Sequence, residues 1–275
     1  MTAHRLINRR MAIAEMGKAG LAIMVLGTAA CSDEEGVTTT TPAGATTGPP
    51  ATTGPPATTG APTTSAPSTS TSAGPGTTAP AGSAYQRVNL DFVSAYILYR
   101  GGEAALVDTG VDGSADAIEA ALGEVGLDWS SVGHVILTHK HPDHAGSVVD
   151  VMERATGATL YAGAAEVQAI SALVSPRAVT DGEMVFDLQV IDTPGHTAGH
   201  ICVLDGAAGI LVTGDALVGT ADGVGPPDPG FSEDIELANA SVAKLATLDY
   251  EIALFGHGEP VTEGASAAVA ALAGA

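Results

Sequence analysis

Apolar and polar positions between residues 92 and 275 follow two periods, and the switches between them lay out the elements. FVSAYILYR (92–100) and EAALVDTG (103–110) are apolar runs joined by Gly101-Gly102, which predicts a β-hairpin. Over 113–125 the apolar positions Ala117, Ile118, Ala121, Leu122 and Val125 recur at helical spacing, with acidic residues on the other face. HVILT (134–138) is a short β-branched strand, and 145–157 is a helix closed by Gly157. ATLYA (158–162) predicts a strand, 163–172 a helix, and the alternating MVFDLQVIDT (184–193) a single strand. ICVLDGAAGILVTGD (201–215) reads as a hairpin, 233–248 as a helix, EIALFG (251–256) as a strand and 262–273 as a closing Ala-rich helix. Strands alternating with helices define an α/β domain over 85–275.

Upstream the periodicity stops. Residues from about 37 to 84 are almost entirely Thr, Ala, Pro, Gly and Ser, and ATTGPP (45–50) repeats at 51–56 and decays to ATTGAP at 57–62. Such a segment cannot bury enough apolar surface to offset its ordering entropy, so 32–84 is expected to be a disordered linker. Residues 1–31 have the layout of an export signal: Arg5, Arg9, Arg10 and Lys18, then the apolar run LAIMVLGTAA, then Cys31. Ala29-Ala30-Cys31 resembles a bacterial lipobox, with Thr28 where Leu is usual, which implies lipidation of Cys31 and an exported domain anchored to the outer face of the cell membrane. Asn8-Arg9-Arg10-Met11 faintly resembles a twin-arginine signal. With Cys31 lipidated, Cys202 has no disulfide partner.

The formal net charge is −21, and it becomes about −24 once the leader, with its four basic residues and Glu15, is removed. Such a surface repels phosphate backbones and argues against nucleic acid as substrate or partner. Contact with the membrane is then expected through the lipid anchor alone.

The chemistry concentrates in THKHPDHAG (138–146), which holds three of the eight histidines. His139 and His141 are two apart just past a strand end, so in extended backbone both imidazoles can reach one metal. Asp143 and His144 follow the bend at Pro142 and can face a neighbouring point, as a two-metal hydrolytic site needs. Further candidates stand at later strand ends: His196 and His200 in TPGHTAGH, Asp215 in ILVTGDALV and His257 in ALFGHGEP. His200 and Cys202 read as structural, Trp129 as packing, and Asp112 and Asp116 as a helix cap and a polar helix face.

THKHPDHAG, followed in order by GHT, TGD and GH, resembles the HxHxDH signature of the metallo-β-lactamase-fold hydrolases over essentially all of 85–275. The resemblance implies an αββα sandwich with metals at one edge. It implies that His139, His141 and His196 bind one metal, that Asp143, His144 and His257 bind the other, and that Asp215 bridges them. It also implies that Asp108 supports a ligand histidine by hydrogen bonding. A hydroxide bridging two divalent ions would then attack a carbonyl carbon, with Asp143 orienting it or taking its proton. Zinc suits the His/Asp set, and iron and manganese also accept it.

Departures from the family's branches narrow the activity. β-Lactamases of this fold carry Cys or Ser where Asp215 stands. Glyoxalase II enzymes add a basic glutathione-holding domain, whereas 258–275 contains no Lys or Arg. Lactonases carry Tyr where Val218 stands. A dinuclear hydrolase of a small ester, thioester or lactone is the reading that remains. The alternatives are a mononuclear-iron persulfide dioxygenase and a non-catalytic metal-binding surface lipoprotein. The walls of the pocket are expected from 163–183 and 217–233.

Overall fold

The computed structural model describes residues 84–171 and 173–274. The expected signal segment, Cys31 and nearly all of the linker lie outside the described residues.

Two sheets are stacked. The first has the order β1 (Ala84–Asn89), β2 (Ser94–Arg100), β3 (Glu103–Val107), β4 (Val132–Leu137), β5 (Thr159–Gly163) and β6 (Arg177–Val179). The second places β13 (Ile252–Phe255) beside β10 (Ile210–Gly214), then β9 (Ile201–Asp205), β8 (Leu188–Asp192) and β7 (Met184–Val185). A small hairpin, β11 (Val218–Thr220) with β12 (Gly223–Gly225), stands apart.

Strand alternation explains the layering, because neighbouring residues face opposite sides of a sheet. On β2, Ala95 and Ile97 join a core with Ile118, Leu122, Val148 and Val151 of α1 (Ala115–Glu124) and α3 (Val148–Arg154). Tyr96 and Leu98 point the other way, into an inter-sheet core with Leu188, Val203, Val212 and Leu254. On the far side, Cys202, Leu211 and Phe255 pack against Val242, Leu245 and Val269 of α5 (Ile235–Leu245) and α6 (Ala265–Ala273). The result is an αββα sandwich with three cores, and both faces of each sheet are apolar for that reason. Tyr96 crosses the middle layer, its hydroxyl donating to the Phe255 carbonyl at 2.8 Å.

Several expected elements differ. Residues 184–193 form a hairpin, not one strand: Phe186 and Asp187 both have positive φ (53° and 59°), the signature of a two-residue turn pairing Val185 with Leu188. The alternation hides this turn because it preserves side-chain register. Arg100 sits 4.9 Å over the Phe186 ring and holds the unusual conformation. The helix expected over 145–157 is split into α2 (Pro142–Ala145) and α3, because the Gly146 amide bonds the Gly110 carbonyl at 2.8 Å. The helix expected over 163–172 shrinks to α4 (Val167–Ile170), since Gly163 belongs to β5. Strand β1 begins at Ala84, the last residue assigned to the linker. Ser114, not Asp112, occupies the N-cap position of α1.

Candidate metal centre

Every candidate side chain follows the C-terminal end of a strand, where the backbone leaves the sheet and its donors become available. Asp108 follows β3; Thr138, His139 and His141 follow β4, with Asp143 and His144 in α2. His196 follows β8, Asp215 follows β10 and His257 follows β13.

These loops bring all seven expected ligand side chains together in two groups. His139, His141, His196 and Asp215 form one and Asp143, His144 and His257 the other, the ligand atoms in each lying within 4.8 Å of one another. In the first, His139 Nε2, His141 Nδ1 and His196 Nε2 are separated by 3.0, 2.9 and 3.2 Å. Asp215 touches both groups. Its Oδ2 is 3.4 Å from His196 Nε2 and 3.3 Å from His257 Nε2, and its Oδ1 is 3.2 Å from His144 Nε2. Asp143 Oδ2 lies 3.3 Å from His257 Nε2.

This arrangement fits divalent metal ions. A tetrahedral ion with nitrogen ligands at 2.0–2.1 Å would set them about 3.3 Å apart, close to the spacing of the three imidazole nitrogens. His144 Nε2 and Asp215 Oδ1 are buried with no aligned hydrogen-bond partner, an expensive state that a cation between them relieves. The His/Asp set suits zinc, iron or manganese.

The far sides of three rings, His139, His144 and His257, are fixed. Asp108 Oδ2 accepts from His144 Nδ1 at 2.8 Å, as expected, while Oδ1 accepts the Thr138 amide at 2.8 Å. The Thr138 hydroxyl donates to Asp108 and accepts from His139 Nδ1 at 3.0 Å. His257 Nδ1 donates to the Phe92 carbonyl at 2.7 Å. Each contact turns an Nε2 lone pair into the site.

Electrostatics divides the groups. Burial pushes His196 down to about 4 and His139 well below the usual imidazole range, so both are neutral near pH 7. Hydrogen bonding to Asp143 and Asp215 lifts His257 to about 10. Burial opposes charge on His144, yet Asp108 and Asp215 raise it well above its ordinary value. Burial also works against ionised Asp215, but His144 and His257 hold its carboxyl far below the carboxylate range.

Two buried residues have a larger part than the sequence suggests. Glu166 accepts the Lys140 amide at 3.1 Å and the Gly199 amide at 2.9 Å, tying together the loops that carry His139, His141 and His196. His200 is structural, as expected, but in a specific way. Its Nδ1 bonds the Thr193 hydroxyl at 2.8 Å and its Nε2 accepts the Asp215 amide at 3.1 Å. Burial holds it neutral, at about 3. Helical spacing in AAEVQAI and a lone second histidine in GHTAGH give no hint of either contact. Cys202 is fully buried with its thiol pushed up to about 12, which excludes a thiolate nucleophile. Lys140 is taken by Glu233 at 2.7 Å.

Beside the metal groups opens a cavity of about 620 Å³, walled by Phe92, Pro142, Leu217, Val218, Pro227 and Phe231. The expected wall from 217–233 is present. The one expected from 163–183 is not, and the β1–β2 turn at Phe92 takes its place.

Residues 88–257 match the family described as the metallo-beta-lactamase superfamily, and the chain belongs to it. It is similar to a hydroxyacylglutathione hydrolase of Alkalilimnicola ehrlichii, 40% identical over 147 residues that cover 53% of this chain and 52% of that enzyme. It is similar also to the thioesterase pkgB of Emericella nidulans, 28% identical over 178 residues, or 63% and 48% of the two chains. The chain thus spans about half the length of these relatives. Among solved structures, a metallo-beta-lactamase family protein from Thermus thermophilus superposes with a TM-score of 0.55 at 25% identity, covering 70% of this chain and 79% of that one.

Proposed function

We propose that this chain is a dinuclear metallohydrolase that cleaves an ester, thioester or lactone bond in a small molecule. The observation that carries the reading is the convergence of seven His and Asp side chains around buried atoms that lack partners. His139, His141 and His196 would hold one divalent ion and Asp143, His144 and His257 the other, with Asp215 in contact with both groups and zinc suiting the set best. Bound there, such ions supply Lewis acidity and lower the pKa of coordinated water from 15.7 to about 7. The chain supplies positioning. Asp108, Thr138 and the Phe92 carbonyl fix the ring orientations, and His200 fixes the Asp215 backbone. Asp143 is a catalytic residue in this account: its carboxylate lines the cavity and accepts the proton released as water attacks the carbonyl carbon.

The names of the relatives support acyl hydrolysis as the reaction class, with the bond left open among ester, thioester and lactone. The complete second group, Asp143, His144 and His257, supports two ions rather than the single iron of a sulfur dioxygenase. We place the enzyme outside the cell, with 1–31 as signal, Cys31 as lipid anchor and 32–84 as tether. The acidic surface turns nucleic acid away and leaves the small-molecule substrate as the partner.

A panel of neutral esters, thioesters and lactones tests the reading. Turnover is expected to stop on chelation and return with added zinc or manganese. No turnover on any member with both metal positions filled would overturn it.

A further inference from the structure

The walls of the cavity carry a second message, about which molecules enter. Six Lys and Arg residues occur among the described residues, and each is ion-paired to a carboxylate: Arg87 to Glu259, Arg100 to Asp205, Lys140 to Glu233, Arg154 to Asp116, Arg177 to Glu183 and Lys244 to Asp181. None of them lines the cavity. The one charged wall residue away from the metal groups is Asp228, whose Oδ1 accepts the Gly230 amide at 2.7 Å; the remaining wall away from those groups is Phe92, Pro142, Leu217, Val218, Pro227 and Phe231. Phe92 and Phe231 both line this cavity and are 59% and 73% exposed. Large rings left in water at a concave site gain by being covered.

From these observations we infer that the substrate is uncharged and apolar beyond the scissile bond: a neutral acyl ester or thioester whose hydrocarbon part seats between Phe92, Leu217, Pro227 and Phe231. The inference rests on the hydrolase reading for the bond cleaved, and on the cavity alone for the molecules admitted. In the reaction, water's oxygen bonds to the acyl carbon, the carbon–sulfur or carbon–oxygen bond breaks, and the thiol or alcohol leaves with a proton. A remote carboxylate would find no Lys or Arg on the cavity wall and would meet Asp228. Any positive charge from bound metals would be held by the ligand side chains of the lining, His141, Asp143, His196, Asp215 and His257, where the scissile carbonyl reacts. Glutathione thioesters, with two carboxylates and one ammonium and so a net charge of −1, are therefore disfavoured, although a relative covering half of this chain is a hydroxyacylglutathione hydrolase.

The test uses matched thioesters on the metal-loaded full chain: acetyl, butanoyl and hexanoyl N-acetylcysteamine, which are neutral, and hexanoyl glutathione, which carries the same acyl group. Thiol release gives kcat/KM, and calorimetry gives binding with or without turnover. Each added methylene is expected to raise kcat/KM about two- to fourfold. Hexanoyl glutathione is expected to bind at least about tenfold more weakly than its neutral counterpart. Phe231→Ala should flatten the chain-length trend, and Asp228→Asn, which keeps the turn-forming oxygen, should narrow the discrimination against glutathione. Equal or tighter binding of the glutathione thioester, or no chain-length trend in binding, overturns the inference whatever the turnover. Preferential binding of the neutral series without cleavage of any member sustains the inference on the molecules admitted and removes thioesters from the hydrolase reading.

Discussion

Replacing Glu166 by alanine removes the buried carboxylate that ties two ligand-bearing loops together, leaving Glu233 at the surface to link them through Lys140 Nζ and the Ala198 amide. Both its oxygens accept backbone amides, from Lys140 and Gly199, and the side chain is fully buried. Hydrogen bonds to a charged acceptor contribute about 1.5–3 kcal/mol each, so losing two costs at most about 3–6 kcal/mol. Water entering the vacated space recovers part of this, and about 3 kcal/mol is the expected loss. That is a sizeable share of the about 5–15 kcal/mol that holds a domain folded, but it leaves the chain native. With the loops loosened, His139, His141 and His196 no longer start from the preset spacing, and zinc affinity should fall about 10- to 100-fold. Glu166→Gln keeps one acceptor oxygen and turns an amide NH₂ towards the second backbone donor, so it should rescue about half of each effect. Urea unfolding of the metal-free protein gives the stability term and competition with a chromophoric chelator gives the affinity. The exposed control Glu153→Ala should stay within about 0.5 kcal/mol of wild type. If Glu166→Ala also stays within that margin and binds zinc normally, the brace does not exist.

Other outcomes follow from the same geometry. A side chain at Gly256 would collide with Asp215 Oδ1 and His144, so Gly256→Ala should lose metal and activity together while unfolding cooperatively. Asp108→Asn keeps the shape but gives up the charge facing His144, and should weaken metal binding about 10- to 100-fold, read by the same chelator competition. His196 at about 4 and His200 at about 3 titrate below the ordinary imidazole value, so the metal-free folded state binds protons less readily than the unfolded chain. Their contribution is present above about pH 6.5 and is lost as pH falls towards 4, at about 1.4 kcal/mol per pH unit for each group. Urea midpoints in chelator at pH 7 and pH 5 check this, and a flat profile would refute it.

The sequence displays most of the site because the ligands come from one unusual chemical set, placed where apolar strands end. His139, His141, His144 and Asp143 share one loop, and His196, Asp215 and His257 each close a run of apolar residues, so position and residue type agree. What stays hidden depends on contacts between distant segments. Glu166 sits 26 residues from Lys140 and 33 from Gly199, and nothing local marks it as a brace. Phe92 reads as the start of a strand, yet it lies in the turn before β2, walls the cavity and fixes His257 through its carbonyl. The AYQRVN strand lacks an apolar alternation and adjoins a polar linker, so only its pairing with β2 reveals it. The Phe186-Asp187 turn has no glycine or asparagine to announce it.

Metal content of the purified full chain tests the central claim most directly. Two divalent ions per chain are expected, with His257→Ala retaining about one and Asp215→Ala retaining one or none. A single iron per chain, unchanged in His257→Ala, would contradict the dinuclear site and the hydrolase built on it.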